Sequence, residues 1–429
     1  KSGIVKGITG LEKALKIQNI KEIFMNVEQG DRVVEPRSNV EKAGHIIAVG
    51  DTLEEAEKAV LQCREALNIE ITEKPEISME SIRIAARDKF KDVCCVCKIC
   101  DGKSCPSGVP GMGGIGTGSS FRRNIEAIRN YKINTRIIHN VRVPDTSCSF
   151  FGINLSFPVM AAPITGTVTN MGGAIDEFEY NRAVVKGSLD AGTVAFIGDG
   201  ATPDKYKIGL KAVTEIDGFG IPIFKPRSDN EEIIKRIRAA EEVNVVAVGI
   251  DIDAVVFKTM SMKNQLVAPK SPEDLQYLIS STTLPFILKG IMNVQDAVHA
   301  VEAGAHGIIV SNHGGRVLDE MAGSMDVLEE IVSEVKGHIR IIIDGGFRTG
   351  VDILKALALG AEFVLIGRPV SVAAVGMRDK GVSFYFNTLK NELEKAMILT
   401  GCQNLEEINN DIVKRIVSEN QFATIGNNR

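Results

Sequence analysis

Short apolar runs broken by glycine set the pattern of this chain. Between Pro285 and Pro369 they read PFILKG (285–290), GIIVSNHGGRVLD (307–319), RIIIDGG (340–346) and FVLIGRP (363–369). Each β-branched stretch ends abruptly in glycine or a polar cluster, and a segment of helical period leads to the next. Continuous apolar runs alternating with helical patterns predict parallel strands buried on both faces. Four further runs precede them: PVMAA (158–162), TVAFIG (193–198), IPIFKP (221–226) and VVAVGID (245–251). Ser271 and Pro272 open one intervening helix, and Gly304 and Gly360 close two others. Eight strand–helix repeats over about 240 residues predict an α/β protein built on a (β/α)8 barrel. In such a barrel the chemistry sits beyond the C-terminal strand ends. Those ends carry Lys289, then Ser311, Asn312, His313 and Arg316, then Asp344, Gly345, Gly346 and Arg348, then Gly367 and Arg368.

Ahead of the barrel (131–429) the pattern changes twice. Residues 1–76 read as a small α+β unit. In it a strand (His45 to Val49) precedes Gly50, an N-cap at Thr52 and Glu55 three residues on, as in a capping box. The helix that follows would place Leu53, Ala56, Val60 and Leu67 on its apolar face. Residues 77–130 are rich in cysteine and glycine. A short helix (Met79 to Phe90) leads into CCVCKICDGKSC, where Cys94, Cys97, Cys100 and Cys105 have x2, x2 and x4 spacing and Pro106 follows at once. Loops of two residues let successive sulfurs converge on one ion or cluster. Redox-active or incidental thiols and disulfides are the other readings. VPGMGGIGTGSSFRRN comes next, with six glycines from Gly108 to Gly118, and reads as a lid over the barrel mouth or a backbone cradle for an anion.

Composition narrows the classes. A net charge of -5 argues against a nucleic-acid surface. No apolar run reaches membrane-spanning length and no secretory segment opens the chain, so a cytoplasmic protein with no membrane association is expected. Of eight cysteines, five lie between Cys94 and Cys105, which suggests a reducing compartment and a metal or redox cluster.

The strings SNHGGRVLD (311–319), DGGFRTGVDILKALALGA (344–361) and IGRPV (366–370) resemble the FMN-dependent α-hydroxy-acid oxidase and dehydrogenase family, and the likeness extends over residues 150–410. It implies the barrel, a bound FMN and oxidation of a 2-hydroxy acid to a 2-oxo acid, with a histidine base and hydride transfer to the flavin. The base would be His313, since imidazole works near neutral pH. Asp251 would hold its second nitrogen. Arg316 would grip the substrate carboxylate with its guanidinium fork. Lys289 would stabilise negative charge on the reduced flavin. Gly345, Gly346, Arg348, Gly367 and Arg368 would cradle the phosphate. Asp344 would bind ribityl hydroxyls and Ser311 the flavin or its ribityl chain, while Ala161, Ala162 and Pro163 would lie along the isoalloxazine. Asp319 would orient the histidine loop. A flavin close by leans the cysteine site towards an iron–sulfur cluster rather than zinc. The phrase EKAGHIIAVGDTLEEAEKAVLQCREALNIEI (41–71) resembles the last strand and helix of ATP-grasp ligases, which suggests a structural or docking remnant.

The departures from the family pattern cluster at the substrate. Family members surround it with aromatic side chains, whereas this chain has no Trp, reads IGDGAT after its second strand, and puts Lys225 near the place of a flavin-binding glutamine. Lys258 is the nearest candidate for the family's second carboxylate-binding arginine. The substrate is therefore a small molecule whose identity does not transfer, and the electron acceptor is open. A homo-oligomer is expected. Two other readings stand beside this one: a redox-neutral flavoenzyme similar to type 2 isopentenyl diphosphate isomerase, and a non-catalytic flavin-bearing subunit that docks on a ligase through residues 1–76.

Overall fold

The computed structural model describes residues 3–33, 36, 38–72, 77–105, 108–217, 220–243 and 245–416. Pro106 and the expected boundary at residue 76 lie outside them. The chain divides into two compact units, Lys1–Ser81 and Ile82–Arg429.

In the first unit, strand Gly3–Thr9 pairs antiparallel with Arg32–Val33 on one side and Asn68–Thr72 on the other. Ile20–Met25 pairs with Gly44–Ala48. Helix Leu53–Ala66 starts where Thr52 Oγ1 accepts the Glu55 N–H at 3.2 Å, an N-cap contact that substitution by alanine typically makes about 1 kcal/mol weaker. Glu55 returns its carboxylate to Asp51 N rather than to the cap residue. The buried stripe is Ala59 and Cys63, and Leu53 is 75% exposed, so the expected apolar face is rotated by a residue or two. Small side chains line this stripe because the helix lies close against its sheet.

The second unit holds the barrel. Its strands are β1 (Val159–Ala161), β2 (Phe196–Gly198), β3 (Ile221–Phe224), β4 (Val248–Asp251), β5 (Phe286–Ile291), β6 (Gly307–Val310), β7 (Arg340–Ile343) and β8 (Phe363–Ile366). All ladders are parallel and run in sequence order, with β8 pairing back to β1. A bridge between Ala161 and Ala195 joins β1 to the entry of β2, where Ala161 N donates to Val194 O at 3.3 Å. Strands β1, β3, β4, β6 and β8 are buried at every residue, as two-sided apolar runs require. Several are shorter than their apolar runs, because residues such as Pro226 already belong to the turns.

The barrel is filled by Met160, Phe196, Ile223, Ile287, Ile309, Ile342 and Leu365. A hairpin of Cys148–Phe150 and Ile153–Leu155 adds Phe150, whose ring meets Phe363 edge-on at 4.8 Å. Each fully buried Phe or Ile contributes roughly 1.5–3 kcal/mol by removal from water. Helix Ser119–Arg129 and the Gly-rich loop belong to this same unit. A long helical segment, Arg368–Thr400, follows β8 and kinks at Met377 and Arg378. No helix among the described residues is long and apolar enough to cross a membrane.

Candidate active site

The β3, β4, β5 and β6 ends bring Lys225, Asp251, Lys289 and His313 together. Asp251, the last residue of β4, is a bridge: its Oδ2 lies 2.6 Å from Lys225 Nζ and its Oδ1 3.0 Å from Lys289 Nζ. Burial pushes the Asp251 carboxyl up, but His313, Lys225 and Lys289 outweigh that and hold it well below the usual range. Lys289 is likewise kept charged: burial opposes the ammonium, and Asp251, Asp344 and Asp253 raise its pKa. The ladder register shifts between Lys289 and Ile291, and Gly290 takes φ 106° there. A Cβ on Gly290 would meet Asp253 Cγ at 2.6 Å, so the glycine admits that carboxylate beside the strand end.

His313 sits in the turn after β6 with φ 58°, a left-handed conformation that costs a non-glycine residue roughly 1–3 kcal/mol. The turn is braced from inside: Asn312 Oδ1 accepts from Gly315 N at 3.1 Å and from Asn124 Nδ2 at 2.7 Å, and Ser311 Oγ accepts from His313 N at 3.0 Å. The imidazole packs on Phe257 with centroids 4.8 Å apart. Its Nδ1 lies 2.9 Å from Asp253 Oδ1 and 3.5 Å from Asp251 Oδ1. A carboxylate only accepts, so Nδ1 carries the hydrogen and Nε2 is left as the acceptor. The residue nearest the ring nitrogen is thus Asp253, which sequence reading passed over in favour of Asp251. Two residues apart on the chain, both reach the ring because Asp253 lies in the turn beyond β4. Burial lowers the His313 pKa, Asp251 raises it and Lys289 lowers it again, leaving it below 6.5 and the ring neutral near neutral pH. The three acidic and imidazole groups also have the spacing of a metal site. Lys225 and Lys289 already supply two positive charges to Asp251, so a further cation would be repelled.

One cavity joins these groups to the ends of β7, β8 and β1. Ala162, Pro163, Lys289, His313, Arg316, Asp344, Gly345, Gly346, Arg348, Gly367 and Arg368 all line it. Ala161 and Ser311 do not: both are fully buried just behind the wall. Lys258 is exposed and outside the lining, whereas Lys263, one helical turn on, is part of it.

Arg316 and Arg368 make no ion pair among the described residues. Arg316 donates to Gly111 O at 2.6 Å, Gly113 O at 3.1 Å and Asn170 Oδ1 at 3.0 Å. Arg368 donates to Met112 O, Gly113 O and Gly314 O and lies over the Phe121 ring at 3.7 Å. Burial lowers both guanidinium pKa values, and each is further depressed by a neighbouring arginine. The Gly-rich loop therefore turns the carbonyls of Gly111, Met112 and Gly113 towards these two arginines and roofs the mouth. Asp319 pins that roof, accepting from Thr117 N and Ser119 N at the start of helix Ser119–Arg129.

The residues fit an FMN. Among the described residues Asp344 Oδ1 is buried without a hydrogen-bond partner, an acceptor in want of a hydroxyl donor. Gly345 and Gly346 have φ near 99° and 95°, and a Cβ on Gly346 would strike Asn124 O at 2.8 Å. Gly367 heads the Arg368–Thr400 helix, whose N-terminal N–H groups favour an anion. Arg348 reaches outward as well, with Nε 3.1 Å from Cys100 O and Nη2 3.6 Å from Cys100 Sγ.

Cys94, Cys97, Cys100 and Cys105 are all free thiols. Burial pushes Cys94 up to about 11, and Cys100, Cys105 and Cys97 add to the rise, which puts the four groups in one neighbourhood. Their sulfurs do not converge to the mutual 4.8 Å that marks the Asp251, Asp253 and His313 group.

Comparison with known proteins agrees with this geometry. The model of the family described as FMN-dependent dehydrogenase matches residues 111–273 and 257–415. The model of the L-amino acid ligase C-terminal domain 2 matches residues 1–72, in keeping with the ligase resemblance there. The peroxisomal (S)-2-hydroxyacid oxidase GLO3 of Arabidopsis thaliana is 31% identical over 336 residues, 70% of this chain and 90% of that protein. Human 2-hydroxyacid oxidase 1 is 31% identical over 333 residues, 68% of this chain and 87% of that one. The crystal structure of mandelate oxidase with (S)-2-phenylpropionate superposes with a TM-score of 0.63 at 28% identity, covering 80% of this chain and 99% of the other. With matches of that extent, the chain belongs to the FMN-dependent dehydrogenase family.

Proposed function

We propose that the protein oxidises a 2-hydroxy acid to the 2-oxo acid with FMN, and that His313 is its base. The observation that carries this is the ring's arrangement: Nδ1 is held by Asp253, the pKa is depressed, and Nε2 is the free acceptor at the cavity wall. His313 takes the hydroxyl proton at Nε2, and Asp253 and Asp251 stabilise the imidazolium that results. Arg316 exchanges its carbonyl partners for the substrate carboxylate, an acceptor with full charge and fork geometry. FMN, when bound, supplies the acceptor for the hydrogen and electron pair leaving C2. Lys289 holds a fixed positive charge at the β5 end, and Asp344, Gly345, Gly346, Arg348, Gly367 and Arg368 hold the ribityl and phosphate groups. Ala162 and Pro163 form the opposing wall.

The test is product analysis: holoenzyme with a panel of 2-hydroxy acids and an artificial electron acceptor, with 2-oxo acid measured. Formation of a 2-oxo acid in step with acceptor reduction supports the reading; no product from any member sinks it.

The four cysteines are read as ligands of an iron–sulfur cluster. A cluster is preferred to zinc because a flavin in the same chain could exchange electrons with it, and a cluster spreads its thiolates over several irons. Such a cluster supplies one-electron chemistry and an outlet to a soluble acceptor. Iron and acid-labile sulfide in anaerobically purified protein test it, and their absence, or zinc in their place, contradicts it. Residues 1–76 are assigned as a ligase-type unit, 77–130 as the cluster and roof segment, and 131–429 as the flavin barrel. Limited proteolysis that releases a stable barrel from about residue 77 supports that division.

A further inference from the structure

The part of the cavity away from the flavin cradle is cationic and nearly free of aromatic groups. Phe257 is the one aromatic side chain that lines it among the β2 to β4 loops, which otherwise contribute Asp199, Gly200, Ala201, Thr202, Lys205, Lys225, Thr259 and Lys263. Around the whole cavity stand seven cationic side chains and three carboxylates. Asp199 is taken up from behind by Arg227 and Arg236. Asp251 is shared by Lys225 and Lys289. A flavin phosphate and one substrate carboxylate leave Lys205 and Lys263 unaccounted for.

Lys205 is held for a purpose other than its one ion pair. Its Nζ is 2.9 Å from Glu177 Oε2. Glu177 already accepts from Thr165 Oγ1, Gly166 N, Thr167 N and Thr167 Oγ1, so its charge is spread over the turn it caps. An ammonium has three donors, and Glu177 is the one partner that Lys205 has among the described residues. The lysine's stem lies over Gly200, where a Cβ would meet Lys205 Cδ at 2.5 Å. Glycine at that position makes the room through which the ammonium enters the cavity. Lys263 makes no ion pair among the described residues and lines the same space. Arg227 ties the two loops together, donating to Gln265 Oε1 at 2.5 Å and to Gly200 O at 2.8 Å.

We propose that Lys205 and Lys263 form a second anion subsite, so that the substrate is a 2-hydroxy acid with another acidic group, carboxylate or phosphate, further along its chain. This rests on the 2-hydroxy acid reading above. Arg316 would take the carboxylate next to C2 and the two lysines the distal one, fixing the substrate at both ends with C2 between them.

The experiment compares 2-hydroxydicarboxylates and a phosphorylated 2-hydroxy acid with 2-hydroxymonocarboxylates of equal chain length, scored by kcat/KM with the holoenzyme. A hydrogen bond to a charged group is worth about 10- to 100-fold, and a preference of that size for a diacid supports the proposal. Which of the two anions wins identifies the distal group. Lys205→Met should collapse the preference and Lys205→Arg should keep most of it. Unreactive 2-oxo diacids should show the same ratio in equilibrium perturbation of the flavin spectrum. Oxidation of mono- and diacids at equal efficiency, or a preference untouched by Lys205→Met, overturns the subsite while leaving the oxidation reading standing. No oxidation of any acid in the set overturns both.

Discussion

The two ends of one cavity are built by different rules. The β7, β8 and β1 ends present glycines and a helix N-terminus, with Arg348 and Arg368 beside them. The β2, β3 and β4 ends instead present charged side chains, Lys205 and Lys225 from separate loops and Asp251 with Asp253 from the end of β4. A cradle made of backbone accepts one shape of ligand, whereas a wall made of side chains can be rebuilt for a new substrate without disturbing the barrel. Between the two, His313 and Lys289 face both.

That contrast predicts how each end fails. Asp251→Ala should have the largest effect, because it leaves Lys225 and Lys289 buried side by side without their shared carboxylate. Losing one partner of a buried pair costs about 3–5 kcal/mol, so the melting temperature should fall steeply; a variant as stable as the parent would show that water or a neighbour replaces the charge. Arg348→Ala should weaken FMN retention by about 10- to 100-fold, as expected for a charged hydrogen-bond donor, leaving the substrate's relative kcat/KM values unchanged when FMN is saturating. Flavin occupancy after dialysis reads this directly, and full occupancy would move the arginine's role to the cysteine side.

Asp253→Asn should lower kcat by about 10-fold or more, as for loss of the group that holds a base in its tautomer. Asp251→Asn should lower it less if the 2.9 Å contact outranks the 3.5 Å one; the reverse order would restore Asp251 as the histidine's partner. The smallest effect concerns pH. A base must be unprotonated, and the His313 pKa lies below 6.5, so kcat/KM should fall only as pH drops through that lower value. Asp253 raises this pKa, so Asp253→Asn should move the acid limb further down; a limb shifting upward would contradict the assignment.

The same contrast explains what could be read from the sequence. The barrel, and the placing of these glycines and arginines at its strand ends, were legible because apolar runs, strand-end glycines and the DGGFRTG and IGRP strings are local features. His313 was legible for the same reason, as part of SNHGG. Asp253 was not, because nothing in DID distinguishes the carboxylate that meets the ring from its neighbour; only the turn beyond β4 does. Lys263 was missed in favour of Lys258 because the loop's helical turn, invisible in spacing, carries the later lysine to the cavity. The roof's carbonyls facing Arg316 and Arg368 could not be foreseen, since a glycine run leaves the direction of its peptide planes open. In the first unit, Leu53 on the solvent side shows how a short helix with few large side chains leaves its face undecided by periodicity.

The most direct test is an anaerobic absorbance titration of the FMN-loaded protein and its His313→Ala variant with a 2-hydroxy acid that the parent oxidises. Both should hold the yellow cofactor; the parent should bleach in proportion to the acid added, and the variant should stay yellow over the same time. A protein that refuses FMN, or a variant that bleaches as fast as the parent, contradicts the claim that His313 takes the proton at this mouth.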